Sequence, residues 1–444
     1  MNEANTTTNK NVEEKKHVEQ SLTVDVFVEE EEEIQRPWWI LPAIVVSQFA
    51  GTALWFAGNA VLEDLVKEWG LDESSLSYLT SSVQFGFIVG TLVFAVWNVA
   101  DRFPPTRVFL SCALLGALTN AVIPAIPHTA PLVVWRFLTG FSLAGIYPVG
   151  MKVAADWFGG GLGRALGWLV GALAVGSAFP FLLKQIPQPY QALLWETSFL
   201  AACGGIVVGC LVPNGPYRKA GTKWDPSVLY TLFESPAFRG AAFGYFGHMW
   251  ELYAFWTWCP VVWEAYLEGR DNTVWDAGVI TFCVLAIGGL GCVLGGLASQ
   301  RYGSAAVAFV CLSVSGVMCL VSPLLFWTPP AVALCAYLVW GLAVVGDSPQ
   351  FSSLVAQTVP SQNKGTALTI VNCIGFTITI GSIQLLGVPL DERYLFLLLA
   401  PGPAFGLYSM RNLVFDSSSG DVATEKETTN RHQEHQDDEE VGNP

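Results

Sequence analysis

The sequence predicts an all-α membrane protein of about twelve transmembrane helices, and three observations predict it. Of the 444 residues, 52% are hydrophobic and only 13% are charged, whereas a soluble globular chain carries about 25% charged residues. The charge that is present collects at the two ends, with acidic runs from Glu29 to Glu33 and from Asp437 to Glu440. Between them lie apolar stretches, each near the roughly 20 residues that a helix needs to cross about 30 Å of hydrocarbon.

Charged, Gly-rich and Pro-rich breaks place the spans near 38–60, 75–98, 106–126, 131–155, 163–184, 193–212, 238–262, 275–298, 304–326, 331–357, 366–386 and 394–412. The first lies between Arg36-Pro37 and Glu63-Asp64, and the second ends before Asp101-Arg102. Pro104-Pro105 opens the third, Pro131 the fourth, and Gly159-Gly160-Gly161 separates the fourth from the fifth. The sixth ends at Pro213, and the seventh follows Pro236 and Arg239. Asp276 marks the start of the eighth, Arg301 to Gly303 its end, and Pro329-Pro330 divides the ninth from the tenth. Lys364-Gly365 opens the eleventh, and Arg393 and Arg411 bracket the twelfth.

The formal charge of −15 comes largely from the tails, which read as disordered, solvated segments. Residues 1–36 lack the apolar core of a signal peptide, and their acidity argues against a transit peptide. No basic stripe exists to support nucleic-acid binding. The ten cysteines all fall in apolar segments without a C-x-x-C pair, so they read as free thiols acting as small hydrophobes. Neither a metal site nor a cofactor is expected, and the chain is expected to act as a monomer.

Basic residues set the topology. With a cytoplasmic N-terminus, the inner side receives Arg36, Arg102, Arg107, Lys152, Arg164, Arg218, Lys219, Lys223, Arg239, Arg301, Lys364 and Arg411. The outer side receives only Lys67, Lys184, Arg270 and Arg393, the asymmetry that the positive-inside rule demands. Both termini are therefore expected in the cytoplasm. The longest inner connection divides the chain into bundles at 37–212 and 237–412, with a linker at 213–236 and tails at 1–36 and 413–444. The halves resemble each other: Gly140, Gly145, Pro148, Gly163 and Ala165-Leu166 are matched by Gly341, Gly346, Pro349, Gly365 and Ala367-Leu368. Two repeated halves with a midplane site between them form a transporter architecture.

Three loop and span motifs then carry a resemblance. Asn98 to Arg107 includes Asp101-Arg102, and its second-half counterpart is Gly296-Leu297-Ala298-Ser299-Gln300-Arg301-Tyr302-Gly303. Span four carries Leu132-x-x-x-Arg136-x-x-x-Gly140. The chain resembles the major facilitator superfamily over about residues 37–412. The first loop departs from the family pattern at Trp97 and at Pro104-Pro105, and the second carries Gln300 in place of the acid. The resemblance implies a cytoplasmic gate in which a carboxylate near a helix end pairs across the halves. Asp101, Arg102 and Arg301 are its candidates, beside the alternative that they serve topology alone.

An ionisable group at bilayer depth is a functional candidate by default. Arg136, His248, Glu251 and Asp347 are the four that stand out. His248 and Glu251 are three apart and share a helix face, about 15 Å into span seven by helical rise. They are candidates for proton coupling, beside the alternative of a structural His–Glu hydrogen bond. Asp347, in Gly346-Asp347-Ser348-Pro349-Gln350, is a candidate for a proton or a cationic group, or a hinge cap. Arg136 is a candidate for an anionic substrate or an internal carboxylate partner. Gln48, Gln84, Tyr147, Trp250, Gln350 and Asn372 are candidates to line a cavity.

These features imply a secondary transporter in the lipid bilayer, not an enzyme, moving a small polar or charged solute by alternating access with protons as the coupling ion. Tyr147 to Lys152 is similar to stretches of bacterial nitrate, nitrite and cyanate facilitators, although spans two and eight show no intramembrane Arg. Gly167, Gly171, Gly176 and Pro180 are similar to the span-five pattern of proton antiporters, without its Gly-Pro dipeptide. Alternatives are an organic cation exporter, since Trp250, Tyr253, Trp256 and Trp258 offer ring faces to cations, and a non-transporting sensor. The same aromatics could instead face lipid.

Overall fold

Proline and glycine set where the helices begin and stop. Pro105, Pro236 and Pro330 each open a helix at the first turn, where a missing N–H costs nothing. Ser235 caps the helix that Pro236 opens, its hydroxyl accepting from the Phe238 amide at 3.4 Å. Asp276 caps the next, accepting from Gly278 and Val279 at 2.8 and 3.0 Å. Gly70, at φ 64°, ends the helix Leu62–Trp69, a left-handed stop that glycine makes without a Cβ clash.

The computed structural model describes residues 36–71, 75–126, 128–158, 161–218, 227–270, 276–360 and 363–414. Nearly all of both acidic tails, and linker residues Lys219 and Lys223, lie outside the described residues. Among the described residues, nine helices are long and apolar enough to cross a membrane. They are spans two (Ser75–Val96), three (Pro105–Ala125), four (Ala130–Trp157), five (Leu162–Leu183), six (Tyr190–Leu211), eight (Ala277–Tyr302), nine (Ser304–Leu325), ten (Pro330–Gln357) and eleven (Lys364–Leu386).

Spans one, seven and twelve complete the set and differ from the sequence expectation in physical detail. Span one is a helix over Ile40–Thr52 that breaks at Ala53–Phe56, resumes at Ala57–Ala60, and continues as the amphipathic helix Leu62–Trp69. Span seven runs as one helix over Pro236–Leu267, longer at both ends than 238–262, with polar and aromatic residues that lower its hydropathy. Span twelve opens as a 3-10 helix over Glu392–Leu399 and continues as α-helix over 401–414. A short helix, Val228–Glu234, precedes span seven and is tied to it by Arg239, which donates to the carbonyls of Phe233 and Glu234 at 2.8 and 3.0 Å.

The repeat seen in the sequence is repeated in the packing. A Cβ at Gly140 would fall 2.0 Å from the Val83 carbonyl of span two, and one at Gly341 would fall 2.0 Å from the Val284 carbonyl of span eight. Only glycine permits approach that close, so spans two and four, and spans eight and ten, touch backbone to backbone at equivalent points. Spans four and ten also break at equivalent points. One resumes at Tyr147 ahead of Pro148, the other at Ser348 ahead of Pro349.

The halves meet along spans two and eleven and along spans five and eight, within the single compact unit that begins at Trp38. Gln384 donates to Ser81 at 2.8 Å, and Ser77 donates to the Ile383 carbonyl at 3.4 Å. Deeper between the halves, Trp55 and Phe87 stack with Tyr253 and Phe376, with ring centroids 4.4 to 5.9 Å apart. These four rings are all buried, and together with Phe56 against Trp256 they form a plug between the halves.

Candidate functional site

Span seven presents His248 and Glu251 on one face, and that face lies against span ten. The two helices run antiparallel, so His248 reaches the break in span ten and Glu251 reaches a point two turns away. His248 Nδ1 lies 3.0 Å from Asp347 Oδ1, with both side chains sealed from solvent at 1% and 0% exposure. The atoms are at ion-pair distance but not aligned as a hydrogen bond. Nε2 of the same ring is 3.0 Å from the Ser348 hydroxyl. The break after Gly346 turns Asp347 and Ser348 together towards the ring. Tyr245 and Phe351 flank the imidazole, and the Tyr245 hydroxyl donates to Asn372 of span eleven at 2.7 Å.

Glu251 makes a different contact. Its Oε1 accepts from Trp340 Nε1 at 2.7 Å, from the Ser315 hydroxyl, and from the Cys319 thiol at 3.4 Å, while Oε2 has no partner. Glu251 therefore stitches span seven to spans nine and ten. His248 and Glu251 share a face without bonding each other; the His–Glu hydrogen bond weighed from the sequence is replaced by His248–Asp347 and by Glu251–Ser315–Trp340.

Arg136 is buried at 0% exposure and donates to the carbonyls of Leu54 and Trp55 at 3.1 and 2.5 Å. Those carbonyls are freed by the break in span one. Among the described residues no carboxylate lies within ion-pair distance of it, so the carboxylate partner weighed from the sequence is absent and backbone takes its place. Its Nε packs on Gly58, where a Cβ would fall 2.9 Å away.

Gln48 and Gln84 are both buried with unbonded amides, Gln48 lying against Gly150 of span four. Tyr147 opens the second segment of span four, and Gln350 is buried near Gly295 of span eight. Trp250 turns the other way, donating to the Leu398 carbonyl of span twelve at 3.1 Å. Tyr253, Trp256 and Trp258 are buried, so they do not form a lipid-facing belt. Asp101 bonds Lys152 at 2.5 Å, and Arg218 donates to the Asp101 carbonyl at 3.2 Å. The first contact is within the first half, and the second ties that half to the linker. Arg301 stacks on Tyr302 at 5.4 Å, and among the described residues nothing joins Asp101 or Arg102 to Arg301.

Sequence reasoning missed Ser348, Tyr245, Ser315, Trp340 and the Trp55 plug. Ser348 adjoins Asp347 and carried a signal by adjacency. The aromatics carried none, because 17 tryptophans and 27 phenylalanines leave no single ring distinguished.

Residues 43–382 match the Major Facilitator Superfamily. The chain belongs to that family. As a major facilitator it is an integral, multi-pass membrane protein. It is 28% identical over 177 residues to the niacin transporter NiaP of Acinetobacter baylyi, an alignment covering 33% of this chain and 39% of that protein. It is 22% identical to a gentisate transporter of Corynebacterium glutamicum, over 74% of this chain and 75% of that one. It is 24% identical to a probable galactarate/D-glucarate transporter, GudP, of Escherichia coli, over 60% and 68%. The fold is that of the proton:xylose symporter XylE, with a TM-score of 0.67 at 13% identity over 84% of this chain and 95% of that one. The nucleoside transporter NupG gives 0.64 at 14% identity, over 84% and 99%.

Proposed function

We propose that this major facilitator is a secondary transporter that moves a small organic carboxylate together with protons by alternating access. The observation that carries the reading is the buried His248–Asp347 pair at the break of span ten. Each proton taken up by the pair makes the site less negative, so protonation favours an anionic substrate, and linkage makes the substrate favour the proton equally. A cationic substrate would reverse that sign and give exchange. The substrates named for the three relatives, niacin, gentisate and galactarate/D-glucarate, are all organic acids, which supports the anionic choice.

The bundles are 37–212 and 237–412, joined by the linker 213–236, and both termini are cytoplasmic by the positive-inside rule. The hydrogen bonds between the halves, Ser77–Ile383 and Gln384–Ser81, then lie near the outer surface, above the aromatic plug. The state is closed outward. Rocking the halves parts Trp55 and Phe87 from Tyr253 and Phe376 and exposes His248 to the other side.

A thermal-shift screen of the purified protein against aromatic and aliphatic carboxylates, neutral sugars and organic cations, at pH 5.5 and 7.5, tests the substrate class. A carboxylate at 100 times its dissociation constant stabilises by about 2.7 kcal/mol, and the shift is larger at the lower pH. Stabilisation by cations alone, or by carboxylates more strongly at the higher pH, contradicts the reading.

A further inference from the structure

A groove of about 470 Å³ runs along the seam between spans one, five and eight, within the size range of small-ligand pockets. Its floor is a tight backbone approach between the halves, where a Cβ at Gly171 would fall 3.0 Å from the Gly289 carbonyl and one at Gly289 would fall 2.9 Å from the Gly171 carbonyl. Phe49 and Val293 stand as its walls. Val46, Trp168 and Leu290 form its rim, at 57%, 47% and 49% exposure. The lining is apolar throughout; the indole N–H of Trp168 is its one side-chain polar group.

Position decides what fills it. Gly171 and Gly289 lie midway along Leu162–Leu183 and Ala277–Tyr302, so the rim opens at the depth of the hydrocarbon core. Water is absent there, and a charged ligand or an extended peptide would bury unpaired polar groups at that depth. We infer that this groove is a binding site for an acyl chain of a bilayer phospholipid. Spans one and five belong to one half and span eight to the other, so the chain bridges the two halves along the seam. A ligand that bridges them shifts their equilibrium only as far as its affinity differs between the two arrangements, and a bound chain fits the arrangement in which Gly171 meets Gly289.

The test uses the full-length protein in vesicles containing a phosphatidylcholine with a diazirine at mid-chain, followed by photolysis and peptide mapping. Adducts on Val46, Trp168 and Leu290 are expected to exceed those on Val310 and Val317 of span nine, which are on average more exposed, at 61% and 56%, by about tenfold, the ratio that a 1.4 kcal/mol preference gives. Leu290→Trp, and independently Val46→Trp, fill the groove from its exposed rim and bring the remaining adducts down to the span-nine level. Equal labelling of groove and span nine in the unsubstituted protein overturns the proposal. So does enriched labelling that persists in both filled variants while each is folded by its unchanged melting temperature.

Discussion

The imidazole of His248, on span seven, stands 3.0 Å from the carboxylate of Asp347, in the break of span ten, with neither side chain open to solvent. Removing one member of this buried contact leaves its partner unsatisfied, at a cost of about 1–3 kcal/mol, and truncating the imidazole also leaves a cavity. His248→Ala is therefore expected to lower the melting temperature of the purified protein more than Asp347→Asn, which keeps the shape and removes only the charge. Equal, negligible shifts in both variants would show that the pair contributes nothing to packing.

Glu251→Gln is expected to be mild. All three donors converge on Oε1 while Oε2 has no partner, so a glutamine that keeps its carbonyl oxygen at that position retains every contact. Substrate-induced thermal shifts should keep their pH dependence in this variant and lose it in Asp347→Asn. The reverse pattern would move the proton site to Glu251.

Arg136 holds the broken first span through the carbonyls of Leu54 and Trp55. Lysine brings one ammonium where two guanidinium nitrogens bond separate carbonyls, and a buried acceptor left unmet costs about 1–3 kcal/mol. Arg136→Lys should lower stability by that order in a denaturation series without substrate. A variant of unchanged stability that fails only to bind carboxylates would make Arg136 a substrate ligand instead.

Gly140→Ala and Gly341→Ala should destabilise to similar extents, each by about 1–3 kcal/mol, the usual cost of overpacking a tight contact. The equivalence is the informative part, because both methyl groups would meet a carbonyl 2.0 Å away on the second span of their own half. A large effect at one site and none at the other would contradict the internal repeat.

The fold was legible because bilayer physics leaves few options. Long apolar stretches must be helical when no water can satisfy the backbone, and the matched Pro148 and Pro349 lie just past the breaks of spans four and ten. The break in span one was not legible, since Ala53 to Phe56 contain neither glycine nor proline; it is held by Arg136, which is 82 residues from Leu54. His248, Glu251 and Asp347 were found because charge inside a membrane is conspicuous in any sequence. Their pairing was not found, because a shared helix face says which way two side chains point and nothing about what the neighbouring helix offers each of them. Asp101 and Arg301 show the same limit from the other side: matching loops did not reveal that Asp101 is occupied by Lys152 within its own half.

The most direct measurement is uptake of a carboxylate identified by the binding screen into proteoliposomes, with and without an imposed proton gradient, for the unsubstituted protein, Asp347→Asn and Glu251→Gln. The account predicts that the gradient drives accumulation in the unsubstituted protein and in Glu251→Gln. In Asp347→Asn accumulation is lost while gradient-independent exchange of substrate continues. Gradient-driven accumulation that survives Asp347→Asn would contradict it.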